Sequence, residues 1–174
     1  MPEIEIKTEG GGSDPMGQKV GVLAAVLAVF LAVVSIASHR AHTMAVVEQA
    51  EANDQWSFYQ SKRIKFHSLE LGADLLTLLG RDKPGAEQAL ARYESEQKRY
   101  EKESTEVQDA AKEKEQETRH TEDQALRYDV GEGMLEIGVV LASLYFIARK
   151  KLFPVISLAF GILGTVIAIS GIFL

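Results

Sequence analysis

Three stretches of this chain carry no charged residue, and most of the charge lies between the first two. Val20–Ser38 is 19 residues without Asp, Glu, Lys or Arg, and Phe153–Leu174 is another 22. At about 1.5 Å per helical residue, each crosses a hydrocarbon core of about 30 Å. The third stretch, Ile137–Ala148, has only 12 uncharged residues, too few to cross alone. It ends at Arg149-Lys150-Lys151, and the last apolar run follows almost at once. Two apolar helices joined by a tight basic turn make a helical hairpin in a membrane. To reach the far face, the second helix has to start near Val130, which draws Glu132 and Glu136 toward the lipid.

The charge distribution excludes a single water-soluble core. Between Arg40 and Glu132 stand 14 basic and 20 acidic residues, against five of each in the rest of the chain, so the net charge of −6 belongs to the middle. An acidic middle argues against nucleic acid as a partner. The absence of cysteine removes disulfides, thiolate catalysis and Cys-based metal sites. The leader before the first run is acidic, where a signal peptide needs basic residues, so the first run reads as an uncleaved anchor.

The middle segment reads as two helices. From Ala41 to Gly80 no proline interrupts the chain, and from Ala86 to Tyr128 neither Gly nor Pro does. Gly80–Gly85 is a break carrying a helix-ending glycine and Pro84. Helices joined so tightly run antiparallel, each on the order of 60 Å long. The second arm carries a 3–4 repeat through Leu90, Tyr93, Gln97, Tyr100, Ser104, Val107, Ala111, Lys114, Thr118, Thr121, Ala125 and Tyr128, a coiled-coil seam with weak residues in it. The first arm is apolar on more than one face, from Trp56, Phe58 and Tyr59 to Leu78 and Leu79. That is more apolar surface than one partner helix covers, and a lone two-helix hairpin buries little. The pattern therefore implies further copies or another chain, with Trp56, Phe58 and Tyr59 as interface anchors and Trp56 buried between helices.

The expected fold is thus an all-α membrane protein: three transmembrane helices with a long antiparallel helical hairpin inserted between spans one and two. The divisions are a flexible leader at 1–18, spans at 19–39, 130–151 and 152–174, and the hairpin at 40–129 with its turn at 80–85. The positive-inside bias places Lys19 and the Arg149–Lys151 turn in the cytoplasm, with the hairpin and C-terminus outside.

Few residues offer chemistry. The segment 12–19 lacks the Gly-Lys-Ser/Thr of a phosphate-binding loop, and no hydrolase, metalloprotease or dinucleotide fingerprint is present. No enzyme, cofactor or metal is expected. Asp129, Glu132 and Glu136 are spaced three and four apart and share one helical face. Either Arg40 or His39 pairs with them where span one emerges, or they mark an ion or proton path. Gly21, Ala25, Ala28 and Ala32 form a stripe of small residues on span one, as do Gly161, Gly164, Ala168 and Gly171 on span three. Such stripes let helices approach closely in lipid, within a subunit or between subunits.

Asn53–Lys62, Asp129-Val130-Gly131-Glu132 with the following Glu136, and the glycine-bearing last run resemble the domain-of-unknown-function family 4337 of bacterial membrane proteins. The resemblance covers most of the chain apart from the leader and the polar second arm. It implies three spans in a bacterial inner membrane and supplies no activity. The expectation for function is a membrane-anchored hairpin that self-assembles as a scaffold or serves a larger membrane complex. The alternative is an oligomeric cation- or proton-conducting channel with the acidic ladder at its mouth.

Overall fold

The computed structural model describes residues 14–174. They form three helices, α1 (Pro15–Leu79), α2 (Ala86–Ala148) and α3 (Leu152–Ser170), followed by a 3-10 turn at Gly171–Phe173. All three helices are long and apolar enough to cross a membrane. No strand occurs among the described residues.

The ends of the helices follow from local chemistry. Asp14 Oδ1 accepts the backbone N–H of Met16 at 3.1 Å and of Gly17 at 2.9 Å, and Pro15 occupies the first helical position, where its missing N–H costs nothing. This capping pair starts α1 inside the segment expected to be a flexible leader. The leader expectation is corrected for residues 14–18, and its first 13 residues lie outside the described ones. At the other end, the Gly80 N–H bonds the Leu76 carbonyl, and Gly85 takes the left-handed conformation with φ 86° before α2 begins. No break occurs near Val130: α2 carries no proline from Ala86 onward and runs through that position and the glycines that follow it. It stops at Arg149, a non-glycine residue at φ 52° whose N–H returns to the Tyr145 carbonyl at 2.8 Å.

The chain divides into two compact units, the first made of the segments through Arg40 and Asp123–Leu174, the second of Ala41–Glu122. In the first, α2 and α3 pack backbone to backbone. A methyl placed on Gly164 would lie 2.7 Å from the Gly131 carbonyl oxygen, and one on Gly131 would lie 2.8 Å from that of Gly164. Buried Ser157 donates to the Gly138 carbonyl at 2.7 Å. Leu27 of α1 enters the notch at Gly161 and Gly138, and Val20 joins Ala142 and Tyr145 in a small core. Of α1, the residues turned inward are Val20, Leu27, Val34 and Ser38.

In the second unit the two arms meet along the 3–4 repeat. Every second-arm position from Leu90 to Thr121 in that repeat is buried or half-buried, with Ser104, Ala111 and Thr118 fully enclosed. They face Ala41, Ala45, Ala52, Tyr59, Lys62 and Leu69 at matching spacing on α1. Small and polar residues at these positions let the helices approach but leave little apolar area to bury.

Candidate functional site

Most of the side-chain hydrogen bonds that join different helices of the first unit lie at its two ends. At one end Ser38, buried on α1, donates its hydroxyl to Asp129 Oδ1 of α2 at 2.6 Å. Beside it the Gln124 amide donates to the Gly171 carbonyl at 2.9 Å, and Arg127 donates to Ser170 Oγ at 3.0 Å. Gln124 thus satisfies a carbonyl at the end of α3, and Arg127 brings a cation to the end that the helix dipole favours for one. Sequence reasoning did not single them out. The signal was present: Gln124, Arg127 and Tyr128 stand on one face of α2, one turn before Gly131, where α3 makes its close approach.

Of the acidic ladder, Asp129 is the residue that reaches a partner on another helix; its bond from Ser38 ties α1 to α2. Glu132 is half-buried and Glu136 is exposed, and neither makes a hydrogen bond or ion pair among the described residues. Arg40 is also exposed and does not reach them. His39 shares its Nδ1 with the Ser35 carbonyl at 2.9 Å on its own helix. The register places Glu136 far from either end. Its near neighbour on α2, Gly138, packs against Leu27 of α1 and against Ser157 and Gly161 of α3, so Glu136 stands about midway along the apolar run between Lys19 and Arg40. No three His, Asp or Glu side chains converge on a metal-binding geometry among the described residues.

At the opposite end Asp14 ties three elements together. Beyond capping α1 it accepts an ion-pair bond from Arg149 at 2.5 Å and faces the Tyr145 hydroxyl at 3.4 Å. The Gly17 N–H, then the Met16 N–H and the Arg149 guanidinium, hold the Asp14 carboxyl below the usual carboxylate range. Lys19, Lys150 and Lys151 stand exposed around this clamp.

The two small-residue stripes part company. Gly161, Gly164, Ala168 and Gly171 are buried against α1 and α2. Gly21, Ala25, Ala28 and Ala32 lie on the exposed side of α1, with nothing within 4 Å of a methyl placed on Gly21. This stripe does not pack the spans within one subunit. In the hairpin unit Trp56 is half-buried, not enclosed as expected, and packs edge-on to Tyr59 with ring centroids 5.6 Å apart. Trp56 lies beside the seam, whose nearest enclosed position on α1 is Ala52. Phe58 is exposed, with the Lys62 ammonium 4.9 Å from its ring centre. Lys62 itself crosses the seam to Glu103 at 2.5 Å.

No curated protein and no solved structure matches the chain. The model of the family described as "Domain of unknown function (DUF4337)" matches residues 16–174, which takes in the Asp129–Glu136 ladder, the glycine contacts and both arms of the hairpin, and the chain belongs to that family.

Proposed function

We propose that this protein is a self-assembling membrane scaffold: three helices in a bacterial inner membrane, and a helical hairpin outside it that meets other copies. One observation carries the reading. On the first arm Ile64, Leu71, Leu75 and Leu78 are exposed, by 48% to 78%, and follow a second 3–4 repeat on the face away from the seam. An apolar repeat of this kind outside the lipid is a seam for another helix. Copies inserted in one orientation present identical residues to one another, the condition for a closed symmetric contact. The orientation that fits the basic turn puts Lys19 and Arg149–Lys151 in the cytoplasm.

The chain lacks cysteine, so a single introduced thiol reports one position. Leu71→Cys, oxidised in intact membranes, is expected to give a disulfide-linked pair, while Lys98→Cys on the exposed side of the second arm stays monomeric. Absence of the Leu71 pair, with Lys98 pairing in its place, would contradict the assignment of the face.

A second reading, an oligomeric cation or proton channel, draws on Glu136 alone. A carboxylate midway along an apolar run and without an intrachain partner is the usual mark of an ion path. Reconstituted protein that drives proton or cation flux under an imposed gradient, with the flux lost in Glu136→Gln, would favour the channel. The scaffold reading expects silent vesicles.

A further inference from the structure

A groove runs between α1 and α3. Its first stretch, about 220 Å³, is bounded by Met16, Lys19 and Leu23 on α1 and by Pro154, Val155 and Leu158 on α3. Its second, about 290 Å³, continues past the same Leu23 and Leu158 to Leu27, Phe30, Gly161 and Thr165. The shared residues place the two stretches end to end along one side of α1 and α3. The groove exists because α3 spends its glycines on close contact with α2 and Leu27 alone fills the notch at Gly161. From Lys19 to Phe30 the groove is about 16 Å long, the depth of one leaflet of a core of about 30 Å. Its walls are hydrocarbon: the Thr165 hydroxyl is turned back to the Gly161 carbonyl at 2.8 Å, which leaves Lys19 as the polar group at the mouth.

Charge sits at one end only. Lys19 opens the groove, and Lys150 and Lys151 lie within a turn or so of Pro154 at the start of α3. Arg149 is engaged by Asp14, but Lys19, Lys150 and Lys151 are exposed and make no ion pair among the described residues. A leaflet-long apolar slot with three exposed ammonium groups at its mouth fits one ligand chemistry: an acyl chain under a phosphate headgroup.

We infer that this groove is a binding site for an anionic phospholipid, one acyl chain lying along Leu23, Leu27 and Leu158 and the headgroup phosphate held by Lys19, Lys150 and Lys151. The inference rests on α1 and α3 standing in a bilayer and is independent of whether copies assemble.

The full-length protein is extracted in a mild non-ionic detergent and offered phosphatidylglycerol or phosphatidylcholine with identical acyl chains. Native mass spectrometry counts the lipids retained. Retention of phosphatidylglycerol is expected to exceed that of phosphatidylcholine by roughly tenfold or more, because surface lysines attract an anionic headgroup. Combined Lys19→Gln, Lys150→Gln and Lys151→Gln is expected to abolish the preference, and Leu23→Trp, which fills the slot, to lower retention of both lipids. Equal retention of the two lipids by the native protein would overturn the inference. So would full displacement of phosphatidylglycerol by glycerol phosphate, which would mark a site for phosphate alone. Loss of oligomer mass in Leu23→Trp with no lipid retained natively would assign the groove to a second copy. A protein that leaves the membrane fraction without detergent would instead defeat the bilayer placement.

Discussion

At Gly164 a single added carbon meets the Gly131 carbonyl oxygen at 2.7 Å, the Met134 Cβ at 2.9 Å and the Leu135 nitrogen at 3.1 Å. Backbone cannot yield as a flexible side chain does, so the helices have to separate. Gly164→Leu is expected to cost about 1–3 kcal/mol, in line with overpacking elsewhere, and to lower the melting temperature in detergent. Gly21→Leu, on a face with no neighbour within 4 Å, is expected to stay within about 0.5 kcal/mol of the native protein. Equal losses in the two variants would show that α1 and α3 use their small residues alike. The sequence could not separate the stripes, because both have the same spacing and the same residue types. What distinguishes them is three-dimensional: the inward face of α1 is set by Val20, Leu27 and Val34, and only α3 finds glycines opposite its own. Glu136 is a similar case. Its spacing from Asp129 suggested a shared partner, but Ser38 reaches only Asp129.

The two arms of the hairpin are held by a seam weak in apolar area and strong in polar cross-links. Glu103 is held below the usual carboxylate range, first by its hydrogen bond from Lys62 and then by the charges of Lys62, Arg99 and Lys65. Its contribution is present above the ordinary value of about 4.3 and is lost as pH falls through the lowered one. Lys114 is pushed up, first by Glu117 and then by Glu51 across the seam. Its contribution is present below the ordinary value of about 10.4 and is lost as pH rises through the raised one. Helix melting followed by circular dichroism on the full chain is therefore expected to be flat between these limits and to fall at both ends. Glu103→Gln should blunt the acid limb and Lys114→Met the alkaline limb, each modestly, because the groups are partly exposed and screened. An unchanged profile in both would remove these pairs from the account. The second-arm seam was legible residue by residue, since polar Gln97, Ser104, Lys114 and Thr118 still hold the 3–4 period that burial follows. The start of α1 was less so. Asp14-Pro15 is a strong capping pair, yet it follows a glycine-rich acidic run whose composition reads as loop. The position of Trp56 was also not legible, because a large aromatic near a seam can lie in it or along its margin.

For the whole molecule, the number and approximate ends of the long apolar helices could be read from charge-free runs and from breaks at Gly80–Gly85 and Arg149–Lys151. The clamp of Asp14, Tyr145 and Arg149 could not, because it joins residues 131 to 135 positions apart. The outer repeat of Ile64, Leu71, Leu75 and Leu78 was visible only as an excess of leucine; exposure of all four turns that excess into a face. On this face rests the central claim, that copies of the chain assemble. The most direct measurement is the mass of the detergent-solubilised native protein beside that of Leu71→Glu combined with Leu78→Glu. The account predicts a defined multimer that falls to the mass of one chain in the double variant while helix content is kept. A native protein that runs at the mass of one chain, or a multimer indifferent to both substitutions, would contradict it.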